Sequence, residues 1–235
     1  MRVCVDLCSG LGGFSQSFVN HGWKVVTVDI EPKFKPTVVG DVTKIDWNEF
    51  KQTWLNGESP DVLLASPPCE RFSIACRTWP KMGIKKAMEL VGACFEAVAI
   101  LKPKFWLIEN PMGRLRWFLG KPGMTIRQCD YGAPYEKKTD LWGNIFLPLL
   151  EGTKDAKFWV FKQFTTERKS RNPKTQHPKP EVTKANFFIH GTSGSGNGKA
   201  LRAKIPLGVS EAVYESCQRL FSEIQESSGE EKKAK

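Results

Sequence analysis

One pattern recurs along this chain: a short, β-branched apolar run stops at an acid or another polar group, and a turn and a helical stretch follow. "RVCVDL" carries Asp6 and Leu7 into the turn "SGLGG" and the helical "FSQSFVNHG", while "KVVTVDIE" (24–31) ends in acids. "TVVGDVT" (37–43) has Asp41 near its C-terminal end, "DVLLAS" (61–66) runs into "PPC", and "FWLIENP" (105–111) closes on Glu109 and Asn110. "MTIRQCDYG" and "GNIFLPL" read as two further strands. Between them, a polar segment around 47–56 is helix-like, and residues 85–102 place apolar side chains at 88, 91, 94, 95, 98 and 101, a helical period that Pro103 stops. Strands alternating with helices predict an α/β, Rossmann-like fold: a mostly parallel open sheet with helices on both faces. Ligands of such sheets sit beyond the carboxyl ends of the strands. Asp6 with its Gly turn, Asp29, Asp41, Cys69 and Glu109 are therefore expected along one edge.

At 235 residues the chain fits one substantial domain with a small appendage, and no apolar run approaches the roughly 20 residues that a helical membrane span requires. The N-terminus, "MRVCVDLCSG", is strand-like with an embedded acid, which is wrong for a secretory signal and predicts a cytoplasmic protein. Seven cysteines, an odd number without paired spacing, read as reduced thiols rather than a disulfide framework. Zinc is a poor reading, since no CxxC pair occurs and the three histidines are scattered at 21, 177 and 190. The net charge of +10 favours a polyanionic partner, because clustered Lys and Arg displace counterions from phosphates.

The charge has a location. After about residue 150 the character changes: "KFWVFKQF" is aromatic, and between Lys162 and Lys184 seven Lys or Arg face two Glu. The Gly/Ser stretch "GTSGSGNGK" is not a phosphate-binding P-loop, since Ser193 stands at the required first Gly and Ala200 follows the Lys. "IPLGVSEAVYESCQRLFSEI" reads as a helix packed on the sheet, and "ESSGEEKKAK" as a flexible tail. The expected division is 1–150 for the catalytic domain, 151–204 for a basic appendage, 205–225 for a returning helix and 226–235 for the tail.

Three constellations carry chemistry. "DLCSGLGGF" lets the backbone approach a ligand closely and leads into a helix N-terminus. A carboxylate about twenty residues on, Asp29, suits the hydroxyls of a ribose, and Asp41 suits an adenine amino group; a dehydrogenase would satisfy the same logic. Cys69 follows Pro67 and Pro68, which stiffen the turn and present the thiol at the ligand edge as an oriented nucleophile. Glu109 in "IENP", once desolvated, is a candidate acid for a ring nitrogen.

Taken in order, "DLCSGLGGF", "DIE", "GDVT", "SPPC", "IENP" and "DYGAPYEKKTDLW" resemble the cytosine-C5 DNA methyltransferase family over residues 3 to about 144. The resemblance implies the methyltransferase version of the Rossmann-like fold and S-adenosylmethionine as cofactor. It would be held by Asp6, Leu7, Ser9, Gly10, Leu11, Gly12, Gly13, Phe14, Asp29, Ile30, Asp41, Val42, Ser66, Pro67 and Pro68. It also implies that Cys69 attacks C6 of a flipped cytosine, Glu109 engages N3, and the methyl group goes to C5. Asn110 and Lys137 complete the expected catalytic set, and Arg71, Lys138, Arg168, Lys169, Arg171 and Lys174 are the expected nucleic-acid contacts.

The sequence departs from the family pattern at two places. Cys8 stands where a cofactor-holding Phe is common. Tyr135–Thr139, "YEKKT", replaces a Gln-x-Arg-x-Arg run, so that Lys137 replaces the first Arg as a cation without its bidentate fork, and Thr139 replaces the second. Lys138 is a candidate substitute for that second cation. Residues 151–204 are short for a target-reading domain, as in compact phage-encoded or solitary members. The expectation is a monomeric enzyme that acts on DNA, with no membrane partner, in the cytoplasm of a bacterial host if phage-encoded. Two alternatives stay open: the same chemistry on RNA, single-stranded DNA or a free cytosine nucleotide, and a catalytically silent nucleic-acid-binding module.

Overall fold

The computed structural model describes residues 1–73, 83–145 and 204–233. Seven strands form one sheet in the order β3-β2-β1-β4-β5-β7-β6. They are β1 (Val3–Leu7), β2 (Lys24–Asp29), β3 (Val38–Val39), β4 (Val62–Ala65), β5 (Phe105–Pro111), β6 (Met124–Arg127) and β7 (Lys138–Gly143). The first five in that order are parallel, β7 is antiparallel to β5, and β6 is antiparallel to β7. β4 is buried at every position, as a strand covered on both faces must be.

Period-two alternation sorts the side chains to two layers. Cys4, Leu64, Leu107, Ile126 and Leu141 face α1 (Gln16–Asn20) and the terminal helix, called α5 here (Leu207–Lys233), through Phe14, Phe18, Val209, Val213 and Phe221. Val5, Leu7, Val28, Leu63 and Ile108 face α2 (Trp47–Leu55) and α3 (Ile84–Leu101). Asp46 caps α2 by accepting from Asn48 N and Glu49 N, and α3 stops at Lys102 in the left-handed region, just before Pro103. A short α4 (Arg116–Leu119) follows β5.

Two expectations shift. The seventh strand is Lys138–Gly143 rather than "GNIFLPL", of which only residues 143–145 are described. The terminal helix continues past residue 225 to Lys233, through the expected tail. Among the described residues no helix is long and apolar enough to cross a membrane.

Candidate active site

The chain leaves β1 for β2 and β3, then returns to the other side of β1 as β4, so the ligand crevice expected of such a sheet falls between the carboxyl ends of β1 and β4. Leu7 pairs with Ala65, which sets the Gly turn beside "SPPC". The turn is built by backbone: Cys8, Gly10 and Gly12 take positive φ, and Gly12 N donates to Ser9 O at 2.8 Å. Asp29 ties the turn to β2, one carboxylate oxygen accepting from Gly10 N at 2.8 Å and the other from Glu31 N at 2.9 Å. Each oxygen keeps a second lone pair for a ligand. Asp41 accepts from Thr43 N and its hydroxyl, which hold its carboxyl below the usual range.

Asp6 lies fully buried beneath this turn. Ser15 donates to one of its oxygens at 2.6 Å, the other oxygen has no partner, and burial lifts its pKa to about 7. Ser66 Oγ, also in the crevice wall, is likewise buried without a partner. Leu7, Phe14 and Val42 spend their side chains on the core, so only their backbone faces a ligand. Gly13 serves packing instead: a Cβ there would strike the backbone oxygen of Ile205, so it admits the segment leading into α5. Leu11 and Ile30 are exposed at the rim.

At Cys8 the side chain packs into the layer below, against the core cluster that contains buried Cys94. Nothing at that position mimics the aromatic ring common in the family.

The Pro-Pro turn is pinned on both sides. Fully buried Asn110 donates from Nδ2 to Pro67 O at 2.8 Å, so it positions the turn rather than facing the reacting edge. After Cys69, the N–H groups of Phe72 and Ser73 both donate to Cys69 O at 2.9 Å. Ser73 bridges to Gly113, and Arg114 N donates to Phe72 O. The half-buried thiol of Cys69 is thereby set beside the end of β5. Burial raises its pKa, the Lys137 ammonium draws it back, and Glu109 opposes that.

Glu109 is buried at the end of β5, and Lys137 Nζ stands 3.8 Å from its Oε1, an ion-pair distance too long for a hydrogen bond. Burial pushes the Glu109 carboxyl up, against Lys137 and the Thr139 hydroxyl, which favour its charged form. Cys69, Glu109 and Lys137 thus form one cluster, a thiol and a carboxyl sharing a cation. Lys138 does not substitute for the missing arginine from that side, since it alternates with Thr139 to the opposite face of β7 and is exposed. Arg71 is exposed at the turn, and Arg168, Lys169, Arg171 and Lys174 lie outside the described residues.

Ser15, Gln128 and Ser210 were not legible in the sequence as site residues. Ser210 Oγ donates to Phe14 O at 2.7 Å and accepts from Ser17 N at 3.0 Å, which locks α5 to the helix after the Gly turn. Its only sequence signal was its place in the helix expected to pack on the sheet.

The model of one family, C-5 cytosine-specific DNA methylase, matches residues 3–115. The "Probable DNA (cytosine-5)-methyltransferase" of Frog virus 3 (isolate Goorha) is 31% identical over 165 residues, 63% of this chain and 73% of that protein. The type II methyltransferase M1.HphI of Haemophilus parahaemolyticus is 28% identical over 117 residues, 45% of this chain but 31% of its own length. The DNA (cytosine-5-)-methyltransferase M.ApeKI of Aeropyrum pernix is 29% identical over 138 residues, 46% of this chain and 28% of its own length. The viral relative, matched over most of its length, joins the family model and the crevice at the switch point in one conclusion: this chain belongs to the C-5 cytosine-specific DNA methylase family.

Proposed function

We propose that the protein transfers a methyl group from S-adenosylmethionine to C5 of cytosine in DNA, through a transient bond between Cys69 and C6. The observation that carries this reading is the cluster of Cys69, Glu109 and Lys137 at the mouth of the crevice.

The crevice fits the cofactor. The partnerless oxygen of Asp6 awaits a donor, and a left-handed Gly turn lets backbone come close to a ligand. In this reading Asp29 takes ribose hydroxyls, Ile30 covers an adenine face, Asp41 accepts from its amino group, and Ser66 to Pro68 form the opposite wall. When bound, S-adenosylmethionine supplies an electrophilic methyl group on a sulfonium centre.

The residues of the chain do the rest. A cytosine reaches Cys69 only after leaving the helix stack. Lys137 favours the thiolate, which adds to C6, while Glu109, whose neutral form burial favours, hydrogen-bonds N3 and disperses charge from the ring. Once C5 carries the methyl group, a solvent water takes the C5 proton, the freed electron pair re-forms the C5–C6 double bond, and the Cys69 thiolate leaves. Asn110 holds the turn still throughout. The basic residues between 151 and 204 are the proposed source of phosphate contacts and target reading.

The test uses methyl-labelled S-adenosylmethionine with duplex DNA, single-stranded DNA, tRNA and dCTP in separate reactions, followed by digestion and detection of 5-methylcytosine. Label in duplex DNA that disappears in Cys69→Ser, with trapping of wild-type protein on 5-fluorocytosine duplex, is the expected result. Label confined to another substrate would transfer the same chemistry there, and none anywhere would leave a binding module.

A further inference from the structure

The face of the sheet that carries Glu109 continues into two buried polar residues that the proposed reaction leaves unused. Glu109 pairs with Leu141 and Pro111 with Thr139, so Thr139 is the diagonal neighbour of Glu109 on the same face of β5 and β7. Ile126 pairs with Thr139, and Gln128, two residues on, returns to that face with its N–H donating to Lys137 O. Gln128 Nε2 donates to Thr139 Oγ1 at 2.9 Å, and both residues are fully buried. Accepting from Gln128 leaves the hydroxyl proton of Thr139 free to turn toward the carboxyl of Glu109, its neighbour on the same face, whose charged form it favours.

We propose that Gln128 and Thr139 are positioning residues for Glu109: Gln128 donates to Thr139, Thr139 donates to Glu109, and the pair fixes the orientation and charge state of the carboxyl. This rests on the reading of Glu109 as the group that engages the cytosine ring. Stability alone does not account for the pair. Gln128 Oε1 is buried without a partner, a cost that two apolar side chains of similar size would avoid. The arrangement also explains why Thr139 stands where an arginine is common: the guanidinium is replaced by a neutral donor fed from the turn after β6, and Lys137 supplies the charge on that side. The charged and titratable groups around Glu109 are Lys137, Cys69 and, across β7, Asp140, which is itself paired with Arg116.

The experiment titrates Glu109 by NMR in protein labelled with 13C at the glutamate carboxyl carbon, with its signal assigned by loss in Glu109→Gln. In parallel, the pH profile of single-turnover methylation of duplex DNA is recorded. Thr139→Val is expected to move the Glu109 titration up by about one pH unit and to carry the alkaline limb of the profile with it. The same variant should lower kcat by roughly tenfold and leave KM for DNA unchanged. Thr139→Ser should restore both readouts, and Gln128→Met should shift them the same way by less. Should Thr139→Val not fold, the Gln128→Met shift decides. An unmoved titration and profile, with only the melting temperature lowered, overturns the proposal. Full activity in Glu109→Gln overturns the role of Glu109 and the proposal with it, whereas an inactive Glu109→Gln beside an unmoved titration overturns the proposal alone.

Discussion

Lys137 stands between two groups whose charge states the proposed reaction sets against each other. Removing its ammonium raises the Cys69 pKa further, because burial already opposes the thiolate and the cation is the main group that counters it. Lys137→Met should therefore slow trapping on 5-fluorocytosine DNA by about tenfold near neutral pH and recover toward wild type as pH rises. A deficit that stays constant with pH would deny Lys137 this electrostatic role. Asp6 makes a thermodynamic prediction of the opposite kind. Its folded pKa, about 7, exceeds the ordinary value of 3.8, so the folded chain binds the proton more tightly and loses stability as pH rises from about 4 through about 7. Asp6→Asn should remove that slope, gaining urea resistance over wild type most at about pH 8 and little at about pH 4, in the absence of cofactor. At this scale Cys69 and Glu109 were legible because each follows an apolar strand in an unusual local context. Gln128 was not, since a polar residue opening the turn after a strand looks exposed until its partner is known.

The turn that carries Cys69 is held by an element contact no local rule anticipates. A Cβ on Gly113 would strike the Phe72 carbonyl oxygen, which receives the Arg114 N–H. Gly113→Ala should cost about 1–3 kcal/mol and slow Cys69 trapping, because the turn must shift to relieve the clash. Gly92 is the matching control: exposed in the middle of α3, with open space where a methyl group would stand, it should gain about 0.5–1 kcal/mol as Gly92→Ala with trapping unchanged. Urea denaturation and trapping rates on the two variants separate the effects. Elements read from periodicity came out well, α3 above all. β7 did not, because Thr139 and Asp140 sit fully buried in it, and buried polar residues break the alternation on which strand recognition depends. Gln128 satisfies the first, and Arg116 and Thr125 the second.

For the molecule as a whole, α5 closes one face of the sheet and reaches the Gly turn through Ser210. His21 stacks on Tyr214 with ring centroids 4.0 Å apart, and its Nε2 meets Glu211 at 3.0 Å, which extends the same contact along α1. Ser210→Ala leaves Ser17 N and Phe14 O without their partner and should cost about 1–3 kcal/mol. If α5 supports the cofactor turn, affinity for S-adenosylmethionine should fall in the same variant, measured by calorimetry; a stability loss with unchanged affinity would confine Ser210 to packing. The sequence by itself determined the alternation of strands and helices, the left-handed Gly turn and the stiff turn before Cys69, because periodicity, proline and glycine act over a few residues. Only the tertiary structure decided that β7 runs antiparallel beside β5, that Asn110 pins Pro67 while Glu109 faces Lys137, and that Cys8 packs into the layer that holds Cys94. Those outcomes depend on pairing and burial between segments far apart in the chain, where a side chain's partner, and not its type, sets its role.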